Sequence, residues 1–109
     1  MSGVMTKAGI SRPVLKRETV MVEALGGEVI LQQMTLQLYL ETIRYGMAHE
    51  NTAPIAKVLA ACVLDADDQP IFDEPEWEAW SPGHLTATFE LYAKIKSLTG
   101  IDLEEAAKN

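Results

Sequence analysis

Asp65, Asp67, Gln69, Asp73 and Glu76 stand at the first, third, fifth, ninth and twelfth places of a twelve-residue stretch. Oxygen-bearing side chains at that spacing encircle calcium in an EF-hand loop. Calcium takes six or more oxygens, and the loop that supplies them needs glycine at its sixth place, where the backbone turns with positive φ. Here the sixth residue is Pro70, whose ring holds φ near −65°, and Gln69 replaces the usual Asp or Asn. A calcium-binding EF-hand-like module is thus an alternative that the residues disfavour. A solvated acidic turn fits them better.

The remaining chemistry is sparse. Asp73, Glu74, Glu76 and Glu78 could hold a metal or act as a paired acid and base, but no histidine, phosphate-binding glycine loop or basic residue accompanies them. For nucleophilic catalysis there are Cys62, some Ser and Thr hydroxyls and two histidines, His49 and His84, and none lies in a nucleophile signature. A single cysteine excludes an intrachain disulfide and a four-thiolate zinc site, so Cys62 reads as a small buried hydrophobe. The expectation is a protein that is not an enzyme and uses no cofactor and no metal. Trp77 and Trp80 are three apart and therefore neighbours on a helical turn. They either pack on the last long helix or anchor a protein partner, a role tryptophan favours. Leu91 stands off the main apolar row of that helix and broadens its face, beside Tyr92. Trp77, Trp80, Leu91 and Tyr92 are the candidate partner-binding residues.

The elements that must position these residues follow from periodicity and turn chemistry. Residues 1–17 show no period and read as a flexible basic arm (Lys7, Arg12, Lys16, Arg17), followed by one domain over 18–109. The β-branched stretch 19–25, then Gly26 and Gly27, then 28–31 predict a hairpin over 19–31 with a two-residue type I′ turn, which requires positive φ at both glycines. Thr35 caps a predicted helix whose apolar residues Leu36, Tyr39, Leu40, Ile43 and Met47 recur at three and four and which ends near Gly46. Pro54 opens a second, with Ile55, Val58, Leu59, Cys62 and Val63 on one face. Residues 65–75 form an acidic loop pinned by Ile71 and Phe72, and 76–80 add a helical turn. Ser81 and Pro82 start a third long helix through Leu85, Phe89, Tyr92, Ile95 and Leu98 to Gly100. Asp102 caps a short last helix over 103–108. The expected fold is α+β, mostly α: an N-terminal hairpin followed by three to four packed helices over 35–108.

Charge narrows the choice of partner. The 109 residues carry a net charge of −7. The first 50 residues balance five basic against five acidic side chains, whereas the rest sets four lysines against eleven acids. Such a surface repels phosphate and lacks the counterion-release contribution that dominates nucleic-acid affinity, so no nucleic-acid partner is expected. The longest apolar run is residues 58–64, far short of the roughly 20 residues a membrane-spanning helix needs. With no signal-like segment at the start, a cytoplasmic protein is expected.

The order of features resembles a known family. A helix runs into Leu59-Ala-Ala-Cys-Val-Leu-Asp65, then come Asp67-Asp-Gln-Pro-Ile-Phe72, a capped helix closing with Lys96-Ser-Leu-Thr-Gly100, and Glu105-Ala-Ala-Lys-Asn109. This is similar to the tail assembly chaperones of long-tailed bacteriophages with non-contractile tails. The likeness covers residues 58–109, and Gln69 and Pro70 depart from the glycine often found in that turn. It implies a non-enzymatic factor of the host cytoplasm that binds the apolar, helical tape-measure protein, keeps it soluble, recruits major tail-tube protein subunits and is absent from the mature virion. It also implies a longer frameshifted form, for which Ala107, Lys108 and Asn109 could be read from a slippery run of adenines. A homo-oligomer is expected through the hairpin edge or the broad last helix. The rival reading is a permanent head-tail or tail-tip subunit of the virion.

Overall fold

Strand formation starts where alternation starts. A computed structural model of the chain describes residues 14–49 and 54–100. In it β1 (Arg17–Val22) and β2 (Gly27–Gln32) pair antiparallel, Arg17 opposite Gln32 and Val22 opposite Gly27. Successive side chains of a strand face opposite sides, so Val22, Val29 and Leu31 enter the core while Thr19, Met21 and Glu28 face out. The ladder begins earlier than predicted. The Lys16 N–H donates to Gln33 Oε1 at 2.8 Å, and the Gln33 N–H donates to the Lys16 carbonyl at 2.9 Å. Arg17 therefore belongs to the sheet and Lys16 is bonded at its end, whereas residues 1–13 of the predicted arm lie outside the described part.

The turn also differs from the two-residue type I′ expected. Residues Glu23–Leu25 make one 3-10 turn, and Gly26 alone takes positive φ, at 83°. Its N–H donates to the carbonyls of Val22 and Glu23 at 3.1 and 3.0 Å. Gly27 is already the first residue of β2. A helical turn needs one left-handed residue to close it, and it lets Leu25 pack against the core.

The first helix, α1 (Leu36–Ala48), is capped as predicted: Thr35 Oγ1 accepts the Leu38 N–H at 3.1 Å. It runs past Gly46, and the His49 N–H closes it on the Tyr45 carbonyl at 2.9 Å. Helix α2 (Ile55–Cys62) buries Val58, Leu59 and Cys62. Val63 does not continue it. Val63 and Leu64 form a short strand, β3 (Val63–Leu64), antiparallel to β2 with Leu31 opposite Val63. The sheet order is β1-β2-β3. The far edge of β2 offers backbone donors and acceptors that would otherwise be unpaired, and these favour the extended form at two residues where side-chain spacing is indifferent.

The acidic loop is built as turns and caps. Asp65 Oδ1 accepts the N–H groups of Asp67 and Gln69 at 2.8 and 3.0 Å. Asp68 sits at φ 62°. Helix α3 (Glu74–Trp80) opens with a reciprocal cap, in which the Glu76 N–H donates to Asp73 Oδ1 at 2.8 Å and the Asp73 N–H to Glu76 Oε1 at 3.1 Å. Ser81 and Pro82 do not start the next helix directly. They begin one 3-10 turn, Ser81–Gly83, and α4 (Leu85–Thr99) follows, ending on Gly100 at φ 93°.

The core joins the inner face of the sheet to α2, α3 and α4, with Trp77, Leu31, Met34, Leu59 and Ile95 the largest enclosed side chains. The fold is α+β, a hairpin followed by four helices. The predicted helix over 103–108 lies outside the described residues.

Candidate protein-interaction surface

Helix α1 turns a row of apolar side chains to solvent. Leu36, Leu40, Ile43 and Met47 are spaced four, three and four, which aligns them along one side of a helix. They are 73, 45, 42 and 82% exposed. The side facing the protein is made by Leu38, the one buried residue of α1, with Tyr39 packed partly against the core. Of the apolar positions whose spacing predicted this helix, Tyr39 packs partly on the core while Leu36, Leu40, Ile43 and Met47 stay outside. Four such side chains leave an exposed apolar patch on the order of a few hundred Å², the scale at which patches on single proteins are functional.

Several contacts hold α1 in place. At its start, the Met34 N–H donates to Thr99 Oγ1 at 2.9 Å, tying the helix entrance to the end of α4. At mid-length, Lys57 Nζ of α2 lies 2.8 Å from Glu41 Oε2. The hydrogen bond from Lys57 lowers the Glu41 carboxyl below its ordinary range, and the same bond raises the Lys57 ammonium. A further contact, the Tyr45 and His49 rings stacked at 3.9 Å, is internal to the end of α1 and does not tie it to the body.

The four candidates picked from the sequence do not form one surface. Trp77 is 0% exposed, edge-on to Phe72 at 4.9 Å and to Trp80 at 5.3 Å. Leu91 is 3% exposed. Neither is accessible to a partner while the fold is intact, which corrects their reading as docking residues. An indole and a leucine gain more from full burial than from partial exposure, about 1.5–3 kcal/mol for a leucine-sized side chain. Among the described residues Trp77 Nε1 meets no acceptor, and the ring packs against Phe72 and Trp80 within the core. Trp80 and Tyr92 are half-buried. Trp80 stacks on His84 at 4.2 Å, and Lys96 Nζ lies 4.9 Å from the Tyr92 ring centre. Burial raises the Tyr92 hydroxyl above its ordinary range.

A second concavity, of about 620 Å³, separates the outer edge of β1 from the start of α4, with Val20, Met21, Leu85 and Leu91 in its walls and Lys94 and Glu90 at its rim. Because Glu18, Val20 and Val22 exchange backbone bonds with β2 in an alternating ladder, Arg17, Thr19 and Met21 turn their backbone groups outward.

Several acidic side chains of the loop are engaged within the fold. Asp65, Asp73 and Glu76 are engaged as backbone caps, and Asp68 Oδ1 pairs with Arg17 Nη1 at 2.8 Å. Among the described residues no cluster of three or more His, Cys, Asp and Glu side chains is placed to hold a metal ion. Burial pushes the Cys62 thiol up to about 12, the opposite of what a nucleophile needs. Among the described residues no helix is long and apolar enough to cross a membrane.

Compared with family models, with curated proteins and with solved structures, the chain matches none of them.

Proposed function

We propose that the protein is a phage tail assembly chaperone that binds the tape-measure protein, keeps it soluble and helps recruit tail-tube subunits, without catalysing a reaction. The observation that supports this most is the apolar row Leu36, Leu40, Ile43 and Met47, displayed on a helix whose opposite side carries its one buried residue, Leu38. An amphipathic helix recognises another through apolar residues at such spacing. The net charge of −7 keeps a complex with a greasy helix dispersed. Copies aligned along one long client multiply a weak individual contact. The outward backbone groups of β1 supply the edge through which copies associate. The work is done in the host cytoplasm, and the protein leaves before the virion is complete.

The test is co-expression with a candidate tape-measure protein, scored for the amount of client in the soluble fraction. The wild-type chain is expected to raise that amount several-fold, and an Ile43→Lys, Met47→Lys double variant to lose the effect while keeping its fold by circular dichroism. A client equally soluble without the protein would overturn the function. A fully active double variant would overturn the role given to α1.

A further inference from the structure

Helix α4 runs alongside β1 in the opposite direction. Its end is tied to the exit of β2, where the Met34 N–H donates to Thr99 Oγ1 at 2.9 Å, next to the Gln33 that bonds Lys16. Its start shares the walls of the 620 Å³ concavity with Glu23 and Ala24, just past the end of β1. Beside this groove Arg17, Thr19 and Met21 turn their backbone groups away from β2. From this juxtaposition, we propose that a second copy of the chain fills the groove with its own β1, antiparallel to the first about a two-fold axis at Thr19. Arg17 of each copy then stands opposite Met21 of the other, and the outward N–H and C=O groups of Arg17, Thr19 and Met21 bond across the axis.

Charge selects this occupant. Residues opposite each other in an antiparallel pair project to the same side, so in this register the partner's Lys16 falls opposite Val22 and the partner's Glu18 opposite Val20. Val20 and Val22 pack on the core side of the sheet, towards α4. The second strand runs in the same direction as α4, which offers first Glu90 and then Lys94 at the rim of the groove. Spacing agrees with order. Lys16 to Glu18 is about 6.6 Å along a strand, and Glu90 to Lys94 about 6 Å along a helix. The partner's Lys16 thus meets Glu90, with Glu23 nearby, and the partner's Glu18 meets Lys94. These four side chains are exposed, and among the described residues none of them enters an ion pair. The partner's Val14 is brought to the first turn of α4, where Leu85 is 55% exposed. On a chain of net charge −7 the strand itself is neutral, Arg17 balancing Glu18, so like-charged bodies can approach each other here. Nor does β1 carry the proline, lysine or bulge that keeps other edge strands apart.

The pairing rests on the assignment of the β1 edge to association between copies in the proposed function, and not on the client. The test is charge reversal in the full chain, read by sedimentation over a wide concentration range. Glu18→Lys opposes like charges at both Lys94 contacts of a dimer, and Lys94→Glu opposes them at both Glu18 contacts. Turning two attractive rim pairs into repulsive ones is expected to weaken association about tenfold or more in each variant alone, with the circular dichroism spectrum unchanged. Mixed in equal amounts, the two variants restore both pairs in a heterodimer, and association is expected to return to the wild-type level, which no contact within one copy can produce. The amides of Arg17, Thr19 and Met21 should exchange more slowly as wild-type concentration rises, and not in either variant alone. A wild-type chain that stays monomeric throughout would overturn the inference, and so would a mixture of the folded variants that fails to associate. Single variants that associate like the wild type would also overturn it and would move the contact to another surface, such as the apolar row of α1. No client enters the measurement. Failure here removes β1 as the route of association and leaves client solubility to its own assay, and loss of the client effect leaves this pairing untouched.

Discussion

If α1 exposes its apolar row, charging that row must be nearly free, and truncating the single buried leucine behind it must be costly. Met47 is 82% exposed and Leu38 is 8% exposed. Burying a whole side chain of this size is worth about 1.5–3 kcal/mol, so the sheltered fifth of Met47 contributes about 0.5 kcal/mol or less. The last turn of α1 holds no basic residue, and a lysine there gains about 0.3–1 kcal/mol from the helix dipole. Met47→Lys should therefore leave stability unchanged within about 0.5 kcal/mol. Leu38→Ala loses nearly the full transfer energy and leaves a cavity, costing about 2–4 kcal/mol. Urea unfolding, followed by the fluorescence of Trp77 and Trp80, measures both, with equal slopes confirming that the same unfolding is compared. A loss above about 1.5 kcal/mol for Met47→Lys, or below about 1 kcal/mol for Leu38→Ala, would show that the helix is turned the other way.

The two turn glycines should separate. Gly26→Ala places a side chain at φ 83° with no atom nearby to clash, so its cost is conformational, about 1–2 kcal/mol, whereas Gly27→Ala should change stability by no more than about 0.5 kcal/mol; equal costs would restore the two-residue turn. Asp73→Ala removes the acceptor of the Glu76 N–H and should cost about 0.5–2 kcal/mol, with increased hydrogen exchange in α3 as the local readout. The Cys62 thiol, raised from 9.0 to about 12 by burial, is neutral in the fold and ionises more readily in the unfolded chain. Its contribution to stability is complete below pH 9 and is lost as pH rises towards about 12. Cys62→Ala should flatten that alkaline decline, and iodoacetamide at pH 8 should modify the native thiol only as fast as the protein opens.

The parts of the fold that depend on neighbouring residues were legible in the sequence. Thr35 as a cap, Gly100 as a left-handed stop, the strands around the glycine pair and the row Val58, Leu59 and Cys62 are local chemistry, and each stands in the structure. Residues 65–75 were read as a turn, and there Asp65 Oδ1 accepts two backbone N–H groups of its own loop. The surface was harder to read. Leu36, Leu40, Ile43 and Met47 had the spacing of a core face, and the four-three-four interval common to paired helices was the available signal that they were not one. Trp77 and Leu91 looked like anchors because tryptophan and a broad apolar face suit both interfaces and cores.

Periodicity establishes that a helix has an apolar side, since hydrophobic spacing and helical pitch are both local properties of the chain. It does not say which object that side will face. That was decided here by distant partners: β2, which drew Val63 and Leu64 out of a helix; the sheet, α2 and α4, whose shared core took in Trp77; and the end of α4, which is tied to Met34 just before α1, while the apolar row of that helix stays in water. A chain of this size encloses only about two-thirds of the surface its unfolded form exposes, and which apolar side chains stay outside is settled only when all the elements compete for the same core.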